Sequence, residues 1–406
     1  MSSIRLGEIG KISMCKRILK SQTNEFSGIP FYKISTFGGT PTVYIDEKIY
    51  REYKEKYSYP KKGDILISAA GTIGKTVIFD GEDSYFQDSN IVWIENDESK
   101  VTNQFLYYFL QTNPFITTNG STIKRLYNDN LRDTKIPNVP SIQQQNQITD
   151  ILGALDKKIQ INNQINQELE AMAKTLYDYW FVQFDFPDQN GKPYKSSGGK
   201  MVYNQELKRE IPEGWGVEKL DSLLKIGKET TNPKKFPNEE FKYYSIPEFD
   251  TTGTYSLERG ESIKSNKFKV EKNDLLVSKL NPWFNRVIYN LEENAISSTE
   301  FIVWKTFNRF EKNFLYQVAT GKEFIEYCTR FATGTSNSHK RVSPDIMIGF
   351  QIPFEKTYIQ KFGEIIDSIR TQVLQNNEQN QELTQLRDWL LPMLMNGQVK
   401  VENYTD

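Results

Sequence analysis

The chain has 406 residues, which is too long for one ordinary domain, and 37% of them are hydrophobic, enough to build packed cores. Its 51 basic and 52 acidic residues leave a net charge of −1, which argues against coating nucleic acid by bulk charge but allows local basic patches. No apolar run approaches the ~20 residues of a membrane span, and Met1–Leu6 does not resemble the start of a signal peptide. The sequence therefore predicts a soluble cytoplasmic protein.

Cysteine and histidine are nearly absent. Cys15 and Cys328 are the only cysteines, and His339 is the only histidine. These counts exclude a disulfide framework and a structural zinc site, which needs clustered cysteine and histidine ligands. A single histidine also leaves little material for acid–base catalysis by imidazole. We expect two buried thiols, no metal site, no catalytic residues and no cofactor bound by this chain.

The first part of the chain, residues 1–140, is predicted to be a strand-rich body. Its β-prone runs include Asp64–Ser68, Thr76–Phe79 and Ile91–Ile94, and helical stretches such as Asn103–Gln111 are fewer. Residues 212–354 have the same character. Each body is expected to be a mixed α/β or α+β domain in which strands dominate.

A glycine-rich segment in the first body, Ala69–Thr76, satisfies a loose phosphate-loop pattern. A true phosphate loop opens a helix whose N-terminal amides hold the phosphates. Here Val77–Phe79 follows, which predicts a strand. The segment is therefore better explained as a glycine-rich connection between two strands.

Two segments combine basic and hydrogen-bonding residues. One runs from Gly120 to Asn128 and contains Lys124 and Arg125; the other runs from Gly334 to Arg341. Lys and Arg neutralise phosphates, whereas Asn, Ser, His and Arg can bond to base edges. An ordinary solvated loop is the alternative, and the recurrence in both bodies keeps DNA contact open beside it.

A long amphipathic helix is predicted over residues 141–186. With Ile148 at position a of a heptad, apolar residues occupy most a, d and e positions, as in a coiled coil or small bundle. Ser141–Gln144 fits a capping box. Asn162 takes the central a position, where it would either fix the helix register or form a tolerated polar layer. Position d falls on Ile151, Lys158, Ile165, Met172 and Tyr179.

The second helix is predicted within residues 355–406 and repeats this pattern without a gap. Thr357–Gln360 fits a second capping box, Pro392 is expected to bend or break the last turn, and Asn396–Gly397 supplies a stop. Its a positions are Phe362, Ile369, Asn376, Leu383 and Leu390. The two helices are expected to pair as an antiparallel coiled coil, relating the bodies by pseudo-twofold symmetry. Polar residues 187–211 are predicted to be a linker with turns.

The chain is an internal duplication. Asn162–Leu169 reappears as Asn376–Leu383 with most positions identical. Shorter matches join the bodies in the same order: Gly63–Ser68 with Asn273–Ser278, Ile91–Trp93 with Ile302–Trp304, and Phe105–Tyr107 with Phe314–Tyr316. Their offsets drift in the bodies and are constant in the helices. Each half therefore has a variable body followed by a helix of fixed length.

Asn281–Phe284 partly matches the Asn-Pro-Pro-aromatic signature of amino-methyltransferases. It lacks the second proline, and the chain has no glycine-rich methyl-donor loop after a strand. The segment also occupies the place of the glycine-rich segment in the other repeat. A shared frame with a divergent loop is what two readers of different targets would need.

Taken together, these features resemble the specificity subunit of type I restriction–modification enzymes over essentially the whole chain. The most specific motifs are Ile211–Trp215, Leu390–Gly397 and Trp180–Pro187, together with the frame of Gly63–Ser68 followed by Gly71 and Gly74. One departure is that the first body lacks a Pro-x-Gly-Trp opening, so its first strand is expected to be less firmly anchored.

The resemblance implies two target-recognition domains, 1–140 and 212–354, that each recognise one half of a bipartite asymmetric DNA site. The helices would set the spacing of the half-sites and dock two methyltransferase subunits, and restriction/translocase subunits would join the complex. Methyl donor and ATP would be used by those partners. The chain by itself would therefore not be an enzyme, and no membrane partner is expected.

Candidate residues were assigned for two roles. Those for DNA binding are Lys33, Ser35, Thr36, Thr72, Lys75, Lys124, Arg125, Tyr127, Asn128, Lys279, Asn281, Trp283, Arg286, Asn337, His339, Lys340 and Arg341. Those for helix register or partner docking are Asn162, Asn376, Leu169, Leu383, Trp180 and Trp389. Two other functions stay open: a DNA adenine methyltransferase acting alone, and a coiled-coil scaffold that does not bind DNA.

Overall fold

The computed structural model describes residues 3–115, 126–334, 339–399 and 401. It divides into two compact units: unit 1 is Met1–Asn162 with Glu378–Asp406, and unit 2 is Asn163–Asn377. The long helices α4 (Ile142–Tyr177) and α9 (Lys356–Met395) each contribute residues to both units. Each unit therefore combines one predicted body with segments of both helices. Among the described helices, none has the length and apolar character needed to cross a bilayer.

Unit 1 is strand-rich, as predicted. Its strands are β1 Ile4–Arg5, β2 Gly10–Ser13, β3 Thr23–Asn24, β4 Ile29–Tyr32, β5 Tyr44–Ile45, β6 Ile65–Ser68, β7 Thr76–Ile78, β8 Tyr85–Phe86, β9 Ile91–Asn96 and β10 Lys135–Ile136. Its shorter helices are α1 Glu47–Lys56, α2 Asn103–Gln111 and α3 Asn128–Asp133. The main sheet has the order β2-β9-β6-β7, a second sheet has the order β3-β5-β4-β8, and β1 pairs with β10.

The main sheet of unit 1 is buried on both faces. Ile65, Ile67 and Val92 pack on α2 and the long helices, whereas Leu66 and Trp93 face the second sheet. This division follows from the alternation of side chains along a strand. The helical side of the core is completed by Leu391, Leu394 and Met395 from the end of α9.

Unit 2 repeats this arrangement with more strands. They are β11 Met201–Asn204, β12 Arg209–Pro212, β13 Gly216–Lys219, β14 Leu224–Gly227, β15 Thr230–Thr231, β16 Glu240–Tyr244, β17 Ser256–Arg259, β18 Lys267–Val270, β19 Asp274–Ser278, β20 Val287–Tyr289, β21 Ala295–Ser297, β22 Phe301–Thr306 and β23 Gln351–Phe354. Its shorter helices are α5 Ile246–Thr252, α6 Arg309–Thr320, α7 Lys322–Phe331 and α8 Pro344–Ile348. The sheet β14-β22-β19-β20 has the same order as the main sheet of unit 1, and a second sheet has the order β15-β18-β21-β16-β17. These sheets and helices confirm the α+β fold class.

One sequence match between the bodies was wrong by one residue. Ile67 pairs with Val92 in unit 1, and Val277 pairs with Ile302 in unit 2. Val92 is therefore equivalent to Ile302, although the sequence match aligned it with Val303. A shift of one residue moves a side chain to the other face of a sheet. Accordingly, Trp93 faces the second sheet, whereas Trp304 faces the helices.

The opening strand is less extensively paired in unit 1 than in unit 2, as the missing Pro-x-Gly-Trp motif predicted. Among the described residues, β1 pairs with β10 through Ile4 and Arg5. In unit 2, β13 follows the motif and pairs with β23 along its whole length, from Gly216 to Lys219.

Residues 187–211, predicted to be a linker, contain folded structure that packs within unit 2. β11 and β12 form an antiparallel hairpin. The Asp185 carboxylate accepts hydrogen bonds from the backbone and hydroxyl of Ser196, at 2.7 and 2.6 Å. The Phe186 ring stacks on Tyr194 and on Trp215, with centroids 4.8 and 4.9 Å apart. Tyr194, Met201 and Leu207 of this polar stretch therefore pack against the core of unit 2.

The predicted apolar stripe covered positions a, d and e, but the long helices bury positions a and e and leave most d positions exposed. On α4 the buried or half-buried side chains include Ile148 and Leu152 in unit 1 and Leu169 and Ala173 in unit 2. α9 follows the same rule. The exposed d positions include Ile151, Ile165, Met172, Tyr179, Ile365 and Leu386. In an a/e seam, as in an a/d seam, the buried positions are separated alternately by three and four residues. The sequence therefore predicted the period of the seam but not which apolar row is buried.

The two helices are antiparallel in each unit. In unit 1, Asp156 accepts from Arg387 at 2.9 Å, and Asn162 Nδ2 donates to Gln379 Oε1 at 2.8 Å and to Asn380 Oδ1 at 2.9 Å. As the residue numbers rise along α4, the residues that they contact on α9 have falling numbers, so the two helices run in opposite directions.

In unit 2, Asn376 Nδ2 donates to Asn166 Oδ1 at 2.8 Å, and Arg370 Nη1 contacts Glu170 Oε1 at 3.1 Å. Antiparallel pairing is therefore present in each unit. The buried amides make the contacts that a register-fixing role requires, and that role stays a prediction.

The helix ends partly follow the sequence signals. Ser141 and Gln144 form the predicted capping box. The second box was wrong: α9 begins at Lys356, and the carboxylate of Glu355 accepts from the backbone of Tyr358 at 2.9 Å. α9 is not broken at Pro392. It ends at Met395 and is followed by Gly397, whose φ of 70° is left-handed.

The buried row of α9 can be tested with two leucines of the same helix in unit 1. Leu394 is 2% exposed, whereas Leu386 is 43% exposed at a d position. We expect Leu394→Ala to lower the free energy of unfolding by about 2–5 kcal/mol, because it leaves a cavity. Leu386→Ala should change it by roughly 0.5 kcal/mol or less. Urea denaturation measures both, and equal effects would contradict the a/e seam.

Candidate nucleic-acid interface

The hairpin between β6 and β7 positions the glycine-rich segment of unit 1. Gly71 and Gly74 have φ values of 66° and 82°, which an L side chain rarely adopts. The hydroxyl of Ser68 donates to the carbonyl of Thr72 and accepts from the backbone of Lys75 at 2.9 Å. Because a strand follows the loop, the structure confirms a connection between strands and not a phosphate loop.

A second loop, residues 33–39, lies against this hairpin. The ammonium of Lys75 donates to the carbonyl of Phe37 at 2.7 Å. Thr36 Oγ1 accepts from the backbone of Lys33 at 3.1 Å, which closes the turn that presents the exposed Ser35. The structure therefore brings together the candidates Lys33, Ser35, Thr36, Thr72 and Lys75. Lys75 has a structural role because its ammonium joins the two loops.

The chain directly after the Lys124-Arg125 pair returns to the same hairpin. Leu126 donates from its backbone to the carbonyl of Ala69, at the end of β6, at 2.8 Å. The next residue, Tyr127, is exposed, and Asn128 begins α3. Lys124 and Arg125 lie outside the described residues.

Unit 2 makes the equivalent connection. Val342 donates from its backbone to the carbonyl of Lys279, just after β19, at 3.0 Å. Asn281 and Lys340 bond to each other twice: Asn281 N donates to Lys340 O at 2.7 Å, and Lys340 N donates to Asn281 Oδ1 at 2.9 Å. The hairpin of unit 2 and its basic segment therefore form one surface, as the repeated pattern suggested.

Asn281 is a structural residue of this surface. It is 8% exposed, has a left-handed φ of 49°, and uses its amide oxygen to hold the backbone of Lys340. The Asn281 side chain is thus used to fix the backbone of its own chain. This geometry therefore does not favour the methyltransferase interpretation of Asn281–Phe284.

The cations of the unit 2 surface fall into two groups. Arg286 contacts Asp250 through two hydrogen bonds of 2.6 and 2.7 Å, which lower the pKa of that carboxyl. Arg341 pairs with Glu300 at 2.9 Å. Lys279 and Lys340, in contrast, have no carboxylate within ion-pair distance among the described residues. The two lysines are thus better placed to contact an external anion.

The remaining candidates are dispersed. Trp283 and the neighbouring Phe284 are exposed at the tip of the hairpin. Phe284 was not among the DNA-binding candidates, although its aromatic ring and its place in a divergent loop could have indicated it. His339 is exposed, and Asn337 lies outside the described residues.

The residues assigned to register or docking have different environments. Trp180 is 4% exposed and packs against Phe181, Tyr358 and Phe362, so it stabilises the core of unit 2 and is not available to a partner. Trp389 is exposed on α9. Leu169 and Leu383 are half-buried in the helix seam.

The described residues contain no cluster of side chains suited to a metal ion. Both cysteines are buried, as predicted. Burial raises the pKa of each thiol to about 12, which keeps it protonated and unreactive at neutral pH.

Comparisons with known proteins agree with this arrangement. Residues 1–171 match the type I restriction modification DNA specificity domain. A putative type I restriction enzyme specificity subunit of Haemophilus influenzae is 53% identical over 180 residues, 44% of this chain and 46% of the relative. A type I restriction enzyme specificity subunit of Methanocaldococcus jannaschii is 26% identical over 365 residues, 84% of this chain and 78% of the relative.

A solved structure extends the likeness in fold. The S subunit of a type I restriction–modification system from M. genitalium superposes with a TM-score of 0.54 at 15% sequence identity, covering 97% of this chain and 95% of that one. The class defined by these matches is a DNA specificity protein of restriction–modification systems. Residues 1–171 therefore match a type I restriction modification DNA specificity domain, and the chain is similar in sequence to specificity subunits of type I restriction enzymes.

Proposed function

We propose that this chain recognises a split, asymmetric site in double-stranded DNA, with one half read by residues 1–140 and the other by residues 212–354. The observation that carries this proposal is the pair of equivalent surfaces. In each unit, the residue after a Lys-Arg pair donates from its backbone to the end of the central strand, through Leu126 and Ala69 or Val342 and Lys279.

The tips on this shared frame differ in chemistry. Unit 1 has a glycine-rich hairpin with an exposed Thr72, whereas unit 2 has the aromatic residues Trp283 and Phe284. Sequence is recognised at base edges and through DNA shape, whereas phosphate contacts mainly position the protein. Two different tips on one frame therefore suit two different half-sites.

The long helices are proposed to set the spacing of the half-sites and to dock two methyltransferase subunits. The exposed row of d positions supports the docking role, because it leaves Ile165, Met172 and Leu386 outside the helix seam. Restriction/translocase subunits would join through the complex. Methyl donor and ATP would be used by those partners, and the cytoplasm, where cellular DNA is accessible, would be the working location.

Selection from random duplex DNA tests the proposal. The full chain, assembled with its methyltransferase subunits, should enrich two short motifs separated by a fixed gap. The methyltransferase subunits alone are the control and should enrich no such motif. Absence of a split motif would favour the coiled-coil scaffold. Methyl transfer to DNA by the purified chain alone would instead support an independent methyltransferase.

Changing the helix length tests the spacing role. Insertion of one heptad into each of α4 and α9 adds about 10 Å of helix, or about three base pairs. We expect the selected gap to lengthen while both half-site motifs stay the same. An unchanged gap in a folded, assembled variant would contradict the proposal.

Lys279 and Lys340, for which the described residues supply no ion-pair partner, provide a test of phosphate contact. Lys279→Ala and Lys340→Ala should each weaken binding to a similar extent for all DNA sequences. Each should also reduce the magnitude of the negative slope of log affinity against log salt concentration by ~0.9. The matched control is Lys219→Ala, an exposed lysine on β13. Titrations at several salt concentrations measure the slopes, and wild-type slopes would remove both lysines from the interface.

A further inference from the structure

The hairpin of unit 2 presents two aromatic rings to solvent. Trp283 is 39% and Phe284 is 56% exposed, and their ring centroids lie 5.9 Å apart. Both lie in the 3-10 turn Pro282–Phe284 between β19 and β20. Exposed neighbouring aromatic residues are costly in water, and they commonly mark an interaction site.

This turn is held rigidly. Asn281 and Asn285, on either side, both have a left-handed φ of 49°. Phe284 N donates to Asn281 O, and Asn285 N donates to Pro282 O, both at 3.0 Å. A rigid turn can present its rings with little loss of entropy on binding.

Arg286 supports the turn from below. Its guanidinium carbon lies 4.5 Å from the centroid of the Phe284 ring while its nitrogens contact Asp250. The Arg286 side chain is only 10% exposed, so it stabilises the ring from the protein side. Phe284 as a whole stays 56% exposed, so much of its surface is accessible to a ligand.

The chemistry of the surroundings identifies that ligand. Lys279, Asn281 and Lys340 are joined through the same hairpin, and the two lysines have no ion pair among the described residues. Lysines and exposed aromatic rings carried by one hairpin surface suit a polymer of phosphates and planar bases. In a duplex, the faces of the bases are accessible only where two stacked pairs separate, and apolar side chains can open such a step.

We propose that Trp283 and Phe284 form an aromatic wedge that inserts between two base pairs of the second half-site and kinks the duplex there. The inference rests on the proposed function. The hairpin of unit 1 carries glycines at Gly71 and Gly74 and no aromatic residue between them. The aromatic wedge is therefore specific to the second half-site, and we expect the two half-sites to differ in DNA shape as well as in sequence.

The test uses the full chain assembled with its methyltransferase subunits and a duplex carrying the selected split site. Fluorescent labels at the two ends of the duplex report bending by energy transfer. Wild-type complex should bend the duplex, because inserted side chains kink DNA by roughly 20–90°. The double variant Trp283→Ala/Phe284→Ala should lose most of this bend and bind roughly ten- to a hundredfold more weakly. Its salt slope should stay unchanged, because the lysines are retained.

Two further variants separate the wedge from general effects. Phe307→Ala removes another unit 2 ring that is also 56% exposed, and it should retain the wild-type bend and affinity. Trp283→Phe keeps an apolar ring at this position and should retain most of the wild-type bend, unlike the double variant.

The outcomes distinguish the wedge from the proposed function. A wild-type chain that selects no split site overturns the proposed function. If the wild-type chain selects the site but the double variant bends it equally, only the wedge is overturned. If the double variant loses the methyltransferase subunits on gel filtration, the rings contact protein instead of DNA, which also overturns the wedge.

Discussion

The core of unit 1 depends on side chains from the far end of the chain. Leu391, Leu394 and Met395 on α9 pack with Leu106 on α2 and Ile148 on α4. Unit 2 is different, because its body and both helix segments lie in the continuous stretch Asn163–Asn377. Unit 1 can therefore be completed only after the rest of the chain has been made and α9 has returned. The loss of chain entropy on closing such a long loop must be offset by the packing of α9.

The same long-range closure explains why the helices vary less than the bodies. Within unit 1, α9 must offer Leu394 to the core, Arg387 to Asp156 and Gln379 to Asn162. An insertion of one residue would rotate these positions to different faces of the helix. A heptad repeat without gaps is therefore a structural requirement, whereas hairpin loops can change in length without disturbing the sheets.

The central strands that carry the variable hairpin loops, β6 and β19, are positioned by equivalent contacts in the two units. Asp64 and Asp274 are both buried, and each carboxylate accepts a backbone hydrogen bond from the third residue before it, Lys61 or Glu271, at 2.7 and 2.8 Å. Desolvation raises the pKa of both carboxyl groups. These aspartates fix the start of the central strand in each unit, so the loop that follows it can diverge while its position is kept.

The sequence by itself determined the duplication, the strand-rich bodies, the two long helices and the hairpin that replaces a phosphate loop, because each depends on local periodicity or on glycine conformation. Only the tertiary structure decided which apolar row of the helices is buried, how β9 and β22 correspond, and that residues 187–211 fold within unit 2. Each of these depends on which surface a neighbouring element covers. A spacing pattern allows two faces, and only long-range packing, such as that of Phe186 on Trp215, selects one.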